Sequence, residues 1–364
     1  MTRTLSVLAA SDAPVEAIWR RLADAARPSY FLSWGWIESW LACLPAEQRP
    51  ELAVVADDGV PVAACFLRHR RILRHHVVPS DALFMNATGV ETLDELCAEH
   101  NGLLRMPDAG VSIGDLVALL LPASWDELHL SAIDRDTLPA STADYRVVVD
   151  REAACPYIDL ARVRAAPGGY ESLLGSATRA QVRRARRRAG ELRVEIARDA
   201  HEAIEIYDEL VRLHTASWQA RGQPGAFADP WFDRFHRRLI AQRFDHGEIQ
   251  LIRVSSATTL GCIYNFVSAG RVEFYQSGLA ISADAKDKPG YVCHAAAIEH
   301  AARAGHAIYD LLGGDARYKQ SLSTDETHLV WARVQRHTMR FAIEDRLRQW
   351  RQAARRRAVI ASSP

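Results

Sequence analysis

Three short runs decide the fold: Ile249-Gln-Leu-Ile-Arg-Val254, Gly261-Cys-Ile-Tyr-Asn-Phe-Val267 and Arg271-Val-Glu-Phe-Tyr-Gln276. Each is rich in β-branched, aliphatic and aromatic residues, which suit a pleated, half-buried surface. The joints between them, Ser255 to Thr259 and Ser268-Ala-Gly270, carry turn residues. Three antiparallel strands follow. Pro289-Gly290 then opens a helix, Tyr291 to Arg303, which Gly305 closes, and His306 to Leu312 reads as one more strand.

Outward from this block, His201 to Ala220 is an amphipathic helix. Ile206, Leu210, Leu213 and Ser217 line one stripe, with Ala203, Tyr207 and His214 beside it. Gly222-Gln-Pro-Gly225 breaks it, and Trp231 to Arg243 forms the next helix. Tyr170 to Leu174 leads into a basic helix that ends at Gly190, followed by a strand over Leu192 to Ile196. Leu329 to Gln335 is strand-like, and Arg346 to Arg357 is an arginine-rich helical tail.

The first 150 residues repeat this order of elements without a clear repeat of sequence. Ser33 can cap a helix in which Trp36, Ile37, Trp40, Leu41 and Leu44 recur at helical spacing, until Pro45 ends it. Core packing is the preferred reading of that aromatic stripe. Leu52 to Ala56, the turn Asp57-Asp58-Gly59, and Val60 to Leu67 make a hairpin. A short apolar segment spans Ile72 to Val78, a helix covers Gly114 to Leu121, and strands cover Glu127 to Ala132 and Tyr145 to Val149. Tyr157 to Leu160 is a short extended piece. The expectation is a mixed α/β chain of two domains similar in kind, 1–150 and 151–340, each a mostly antiparallel sheet flanked by helices, with a tail at 341–364.

The 364 residues hold 45 lysines plus arginines against 45 aspartates plus glutamates, with 25% charged and 48% hydrophobic residues. This composition excludes a wholly disordered, collagen-like or mucin-like chain, and zero net charge argues against a nucleic-acid-coating protein. Lysine occurs only at Lys286, Lys288 and Lys319. In so arginine-rich a chain these three positions are informative. The six cysteines are scattered singly with no C-x-x-C, which fits small core residues in a reducing cytoplasm. The longest apolar run, Leu116 to Leu121, stops at Pro122, far short of the ~18–20 residues of a membrane helix. With no signal-peptide pattern at the start, a soluble cytoplasmic protein is expected. There is no G-x-S-x-G, H-E-x-x-H, Walker loop or G-x-G-x-x-G. His75-His76 are adjacent, and His294 and His300 are six apart, so neither pair has metal-ligand spacing. No metal is expected, and isolated histidines are read as packed or surface residues.

A set of motifs in order carries a family resemblance. They are Arg179-Ala-Gln-Val-Arg-Arg-Ala-Arg-Arg-Arg188, Leu213-His-Thr-Ala-Ser-Trp-Gln-Ala-Arg-Gly222 with Pro224-Gly225, Tyr275-Gln-Ser-Gly278, Pro289-Gly290, Ala304-Gly-His-Ala-Ile-Tyr-Asp310 and Gly314-Asp-Ala-Arg-Tyr-Lys319. Phe31-Leu-Ser-Trp-Gly-Trp36 adds an opening motif. Over roughly 170–320 the chain resembles the BioF2-like (CelD/BcsL-type) acetyltransferases of the GNAT superfamily, relatives of the FemABX aminoacyltransferases. The resemblance implies two tandem GNAT-like domains, an acyl donor such as acetyl-CoA against splayed central strands, and a role in extracellular polysaccharide or cell-envelope metabolism. The usual donor loop, Q/R-x-x-G-x-G/A, is replaced here by Lys286-Asp-Lys-Pro-Gly290.

Residue chemistry then nominates a site. A helix N-terminus offers unpaired N–H groups and a positive dipole end, so Pro289, Gly290 and Tyr291, with Lys286 and Lys288 as point charges, form a candidate phosphate cradle for acyl-CoA. Gly278 joins this donor set. Acyl transfer to an amine also needs a base and an oxyanion donor, the latter from a strand backbone N–H. Asp310 and Glu273 are the candidate bases. Asp310 could instead orient Tyr318 or Lys319, or satisfy local backbone groups, and Glu273 is read preferentially as surface-facing. Tyr318 could protonate a leaving thiolate and Lys319 could bind a phosphate or carboxylate. Trp218, Arg221 and Tyr275 are acceptor-side candidates, against plain packing for Trp218 and helix capping for Arg221. Two competing readings use the arginine helix: an aminoacyl-tRNA-dependent transferase contacting tRNA through Arg179, Arg183, Arg184, Arg186, Arg187 and Arg188, and a non-catalytic nucleic-acid or scaffold protein. Val182, Ala185 and Ala189 mark an apolar side on that helix, which makes a solvated face the preferred reading of its arginines.

Overall fold

A computed structural model describes residues 2–75, 77–282, 284–314, 316–342 and 344. The expected tail helix at 346–357 lies outside the described residues, as does Asp315. In chain order the first half runs β1 (Arg3–Leu8), α1 (Pro14–Ala26), α2 (Trp34–Cys43), β2 (Glu51–Asp57), β3 (Val60–Arg74), β4 (Val78–Met85), α3 (Glu91–Asp94), β5 (Leu104–Arg105), α4 (Ile113–Leu120), β6 (Glu127–Asp134) and β7 (Tyr145–Asp159). The helices α5 (Leu160–Ala165), α6 (Gly169–Leu173) and α7 (Ser176–Ala189) lead into the second half. That half runs β8 (Arg193–Ile196), α8 (Ala200–Gln219), α9 (Pro230–Arg243), β9 (Ile249–Ser255), β10 (Thr259–Ser268), β11 (Arg271–Leu279), α10 (Pro289–Arg303), β12 (Ile308–Asp310), α11 (Arg317–Leu322) and β13 (Asp325–Arg336).

The strands form one sheet in the order β1-β2-β3-β4-β6-β13-β7-β12-β11-β10-β9-β8, with β5 off the path against β3. The order is the same from either end. Four antiparallel strands are followed, across a helix, by a parallel one: β4 with β6, and β11 with β12. The last strand of each half then crosses over. β7 pairs with β12, β13 pairs with β6, and β7 and β13 pair with each other from Tyr145–Arg336 to Tyr157–Asp325. Residue 150, the expected boundary, falls in the middle of β7, so the halves share exchanged strands instead of meeting at a linker. Tyr145 to Val149 and Tyr157 to Leu160 belong largely to this one long strand.

Other expectations shift at the edges. Ile72 to Arg74 ends β3, a turn with His75 at φ 48° follows, and β4 begins at Val78, so the apolar segment at 72–78 joins two strands. β1 and α1 were not anticipated. β1 is a sheet edge without full burial, and α1 buries only Val15, Trp19 and Leu22. Ser33 does cap α2, its Oγ accepting from the Trp36 N–H at 3.2 Å.

On one face of the sheet, α1, α2, α8 and α9 share a continuous core with strands of both halves. Tyr30 and Phe31 of the first half wedge into it. The Tyr30 ring stacks on Phe266 at 4.6 Å, and Phe31 meets the edge of Trp36 at 4.9 Å. The other face carries two separate cores, one under α5, α7 and α10 and one under α4. Among the described residues no helix is long and apolar enough to cross a membrane.

Gly278 sets how closely α8 approaches the end of β11. A Cβ there would lie 2.2 Å from the Leu210 carbonyl oxygen. Gly278→Ala must therefore push a helix off a strand, an overpacking cost of about 1–3 kcal/mol. The expected result is a lower urea midpoint with an unchanged slope; an unaltered midpoint would show that this contact does not constrain the fold.

Candidate active site

β11 and β12 pair over three residues only, Arg271–Glu273 with Ile308–Asp310. Beyond Asp310 the chain leaves the sheet, while β11 continues beside β10 to Leu279. A cleft of about 620 Å³ fills the gap. Phe274 to Ser277 and Leu279 line one side, and Ala316, Tyr318 and Lys319 the other. Lys288, Gly290, Tyr291 and His294 of the α10 end form its back, and His214, Ser217, Trp218 and Arg221 of α8 close it. At the gap, Tyr264 pairs with Gln276 and Asn265 with Phe274, so Tyr275 is the extra residue of a β-bulge. A bulged residue is left out of the ladder, which puts unpaired backbone at the cleft wall.

The start of α10 suits an anion. No side chain caps it, Lys288 at its N-cap takes a left-handed φ of 42°, and a Cβ on Gly290 would touch only Leu279 Cδ1, at 3.0 Å. Lys288 Nζ donates to Gln181 Oε1 at 2.5 Å and lies 5.0 Å from the Tyr291 ring centroid. Lys286 is exposed and is not among the lining residues; its backbone N–H bonds Asp284 Oδ1 at 2.8 Å. Pro289 occupies the first turn of the helix. Gly278, expected in the donor set, packs against α8.

Two expected bases do not reach the cleft. Asp310 is buried among His100, Arg271 and Cys155. Burial raises its pKa, but His100 and Arg271 outweigh that and hold the carboxylate at about 2. Its Oδ1 accepts from the Leu312 N–H at 2.8 Å. Of the roles open to Asp310, satisfying local backbone is the one the geometry carries. Glu273, expected at the surface, is fully buried, accepts from the Tyr30 N–H at 3.1 Å, and is pushed up to about 7 by burial. It faces the inter-half core because β11 side chains alternate, and the wedge from the first half covers that face.

Lys319 lines the cleft but is partly committed. Its Nζ donates to the carbonyls of Leu312 at 3.2 Å and Gly313 at 2.8 Å, which leaves one of three N–H groups. Burial lowers its pKa, opposed by Glu99. Glu99 also accepts from the Gly313 N–H. The Tyr318 hydroxyl, pushed up to about 12 by burial, bonds nothing among the described residues. The Tyr275 hydroxyl is taken by the Leu96 carbonyl at 2.7 Å and lies 3.1 Å from His236 Nε2, so only its backbone serves the cleft. Arg221 bonds the Ser217 carbonyl at 3.0 Å and stacks 4.4 Å over Trp218, so it does cap the last turn of α8, at the cleft mouth.

Among the lining residues outside the sequence-based set are two histidines. His214 Nε2 and His294 Nδ1 are buried without a hydrogen-bond partner. His214 sat in a quoted motif, the one signal that could have singled it out; His294 had none. On α7, Arg183 and Arg186 pair with Glu171, Arg186 also with Glu299, and Arg188 with Asp284 and Asp287. Arg179, Arg184 and Arg187 have no ion-pair partner among the described residues. His100, Cys155 and Asp310 bring one donor atom each within 4.8 Å, yet Arg271 and the hydrogen bonds among them already satisfy the group.

A mixed sheet whose central parallel strands part beside a helix start is the GNAT fold, and the second half carries an acyltransferase domain of that fold. Residues 176–320 match the family model "Acetyltransferase (GNAT) domain". The crystal structure of FemX is similar over 90% of this chain and 96% of that one, with 9% identity and a TM-score of 0.53. A conserved protein of unknown function from Bacteroides thetaiotaomicron VPI-5482 is similar over 89% and 97%, with 11% identity and a TM-score of 0.51. At these identities the likeness is one of fold. No curated protein matches the chain.

The buried network has a pH signature. Burial lowers the His100 pKa, but Asp134 and Asp310 outweigh it and raise it well above 6.5. A raised folded-state pKa gives stability that is full below the unfolded value, about 6.5, and is lost as pH rises through the folded one. Asp310, depressed, gives stability present above about 3.9 and lost as pH falls toward 2. Both contributions are complete between about pH 4 and 6.5. His100→Gln should cost about 3–5 kcal/mol in that window, with the gap to wild type narrowing above pH 7. Urea titrations from pH 5 to 9 measure it, and a pH-independent gap would refute the assignment.

Proposed function

We propose that the chain transfers an acyl group, acetyl in the simplest case, from an acyl-CoA thioester to the amine of a small molecule or saccharide precursor. The observation that carries this reading is the gap between β11 and β12, opening beside an uncapped helix start. Diphosphate oxygens suit the N–H groups of α10 with Lys288 alongside. The bulged backbone at Tyr275 and the spare N–H of Lys319 are donors for the oxyanion that forms when the amine adds to the carbonyl. The free Tyr318 hydroxyl suits protonation of the departing thiolate. The BioF2-like resemblance supports an acceptor from extracellular polysaccharide or cell-envelope metabolism. Arg184 and Arg187, exposed and unpaired among the described residues, favour an aminoacyl-tRNA donor as the second reading.

Native mass spectrometry of the purified protein, with acetyl-CoA titration, tests the choice. Acetyl-CoA should bind, and Lys288→Ala should weaken it about 10-fold, roughly 1.4 kcal/mol. Absence of acyl-CoA binding together with salt-sensitive retention of RNA would replace the first reading with the second.

A further inference from the structure

The inner part of the β3–β4 hairpin is core and its outer part is not. On the α4 face, Ala63, Cys65 and Leu67 of β3 and Leu83 and Met85 of β4 are buried. Strand side chains alternate, so that face continues outward as His69, Arg71 and Leu73, the first three exposed positions of the arm. The strands pair as far as Arg74 with Val78, and Val77 lies in the turn. Arg74 is buried and bonds Glu127 and Glu344.

Two properties meet at this outer end. The first is apolar exposure. Among the described residues the three most exposed large apolar side chains are Met339 at 78%, Val77 at 74% and Leu73 at 65%. Leu73 and Val77 flank the turn. Met339 belongs to the segment fastened on it, where Arg340 donates to the Pro79 carbonyl at 2.9 Å and the Phe341 ring centroid lies 5.1 Å from the Arg74 guanidinium. The second is positive charge without a counter-ion. Arg68 donates to the carbonyls of Arg49 and Glu47, and Arg70 to Gln48 Oε1. With Arg71, they have no ion-pair partner among the described residues. The acids at this end are committed elsewhere: Asp126 to Arg340, Glu127 and Glu344 to Arg74, and Asp81 to His69 at 3.9 Å.

The chain brings more charge to the same point. Glu344 is held by Arg74 and His75, and the sequence that leaves it, 346–357, has six arginines, Leu347 and Trp350, and no acidic residue. Like charges on hairpin and tail repel, so the tail is a poor cover for the hairpin end. Both suit one negatively charged partner.

We propose that the outer end of the β3–β4 hairpin docks on an anionic lipid surface. Leu73, Val77 and Met339 enter the headgroup region, while Arg68, Arg70, Arg71 and the arginines of 346–357 meet lipid phosphates. Such docking draws on buried apolar area and on basic charge together. A nucleic acid would satisfy the arginines but gain nothing from three bare aliphatic side chains. The inference is independent of the reaction proposed above.

Co-sedimentation of the full chain with vesicles tests it. The protein should bind mixed phosphatidylglycerol–phosphatidylcholine vesicles, ignore pure phosphatidylcholine, and come off as salt rises. Leu73→Ser with Val77→Ser removes two solvated side chains, so the urea midpoint should stay at the wild-type value while vesicle partitioning falls about 10-fold or more. Arg71→Gln combined with Gln at Arg355, Arg356 and Arg357 should weaken low-salt partitioning by at least about 10-fold. Equal binding to anionic and neutral vesicles, or full binding by the double serine variant, overturns the proposal. So does retention of poly(U) RNA without vesicle binding, which would assign the surface to nucleic acid. A concentration-dependent dimer that the serine variant abolishes, again without vesicle binding, would show that a second copy covers the hairpin and overturns it too.

Discussion

Parting two neighbouring strands leaves backbone groups that must find other partners, and this constraint shapes the second half. Buried N–H and C=O groups left unpaired cost about 1–3 kcal/mol each. After Asp310 every N–H from Leu311 to Gly314 has a replacement, as do two of the carbonyls. Leu311 N–H goes to the Pro156 carbonyl and Gly314 N–H to that of Ala154. Leu312 N–H takes Asp310 Oδ1, and Gly313 N–H takes Glu99. The Leu312 and Gly313 carbonyls take Lys319. The cleft is thus held open by a frame of strand β7, two carboxylates and one lysine.

That frame is not built by the second half alone. Glu99 and His100 come from the segment after α3, and Pro156 and Ala154 from β7, all contributed by the first half. His100 and Arg271 neutralise the carboxylate that holds Leu312, and Tyr30 caps Glu273. Because removing one member of a buried ion pair strands the other charge, damage in the first half should reach the cleft without touching it. The exchange of β7 and β13 has the same effect through backbone pairing. The two halves cannot separate without unzipping the centre of the sheet.

Most elements of the second half were legible in the sequence because periodicity and turn chemistry are local. The strands at 249–276, the helix opened by Pro289-Gly290 and the stripe on α8 all follow from spacing. The strand exchange was not legible, since β7 reads as two short pieces separated by the polar run Asp150 to Glu152. Long-range charge pairing was equally hidden. Nothing local to Asp310 or Glu273 announces that a histidine 210 positions away, or a backbone N–H near residue 30, will meet them. The lysines were informative in part: Lys288 and Lys319 do reach the cleft, and Lys286 does not. The histidines were discounted because an isolated imidazole is usually packed. Burial is what His214 and His294 share with packed histidines; the missing partner on one nitrogen is what separates them, and that appears only in three dimensions.

The first half repeats the parting strands but treats them differently. β4 and β6 also pair over three residues, Ala82–Phe84 with Glu127–His129, and then part. There, however, the segment after α3 enters the gap, with Asn101 bridged to Ile133. The helix that follows, α4, has its N-terminus closed by a capping box in which Ser112 accepts from the Asp115 N–H and Asp115 from the Ser112 N–H. α10 has no such cap. So the first half has filled its own strand gap and satisfied its own helix start, and the segment that does the filling also carries Glu99 and His100 to the second. One gap is closed by the piece of chain that props the other open.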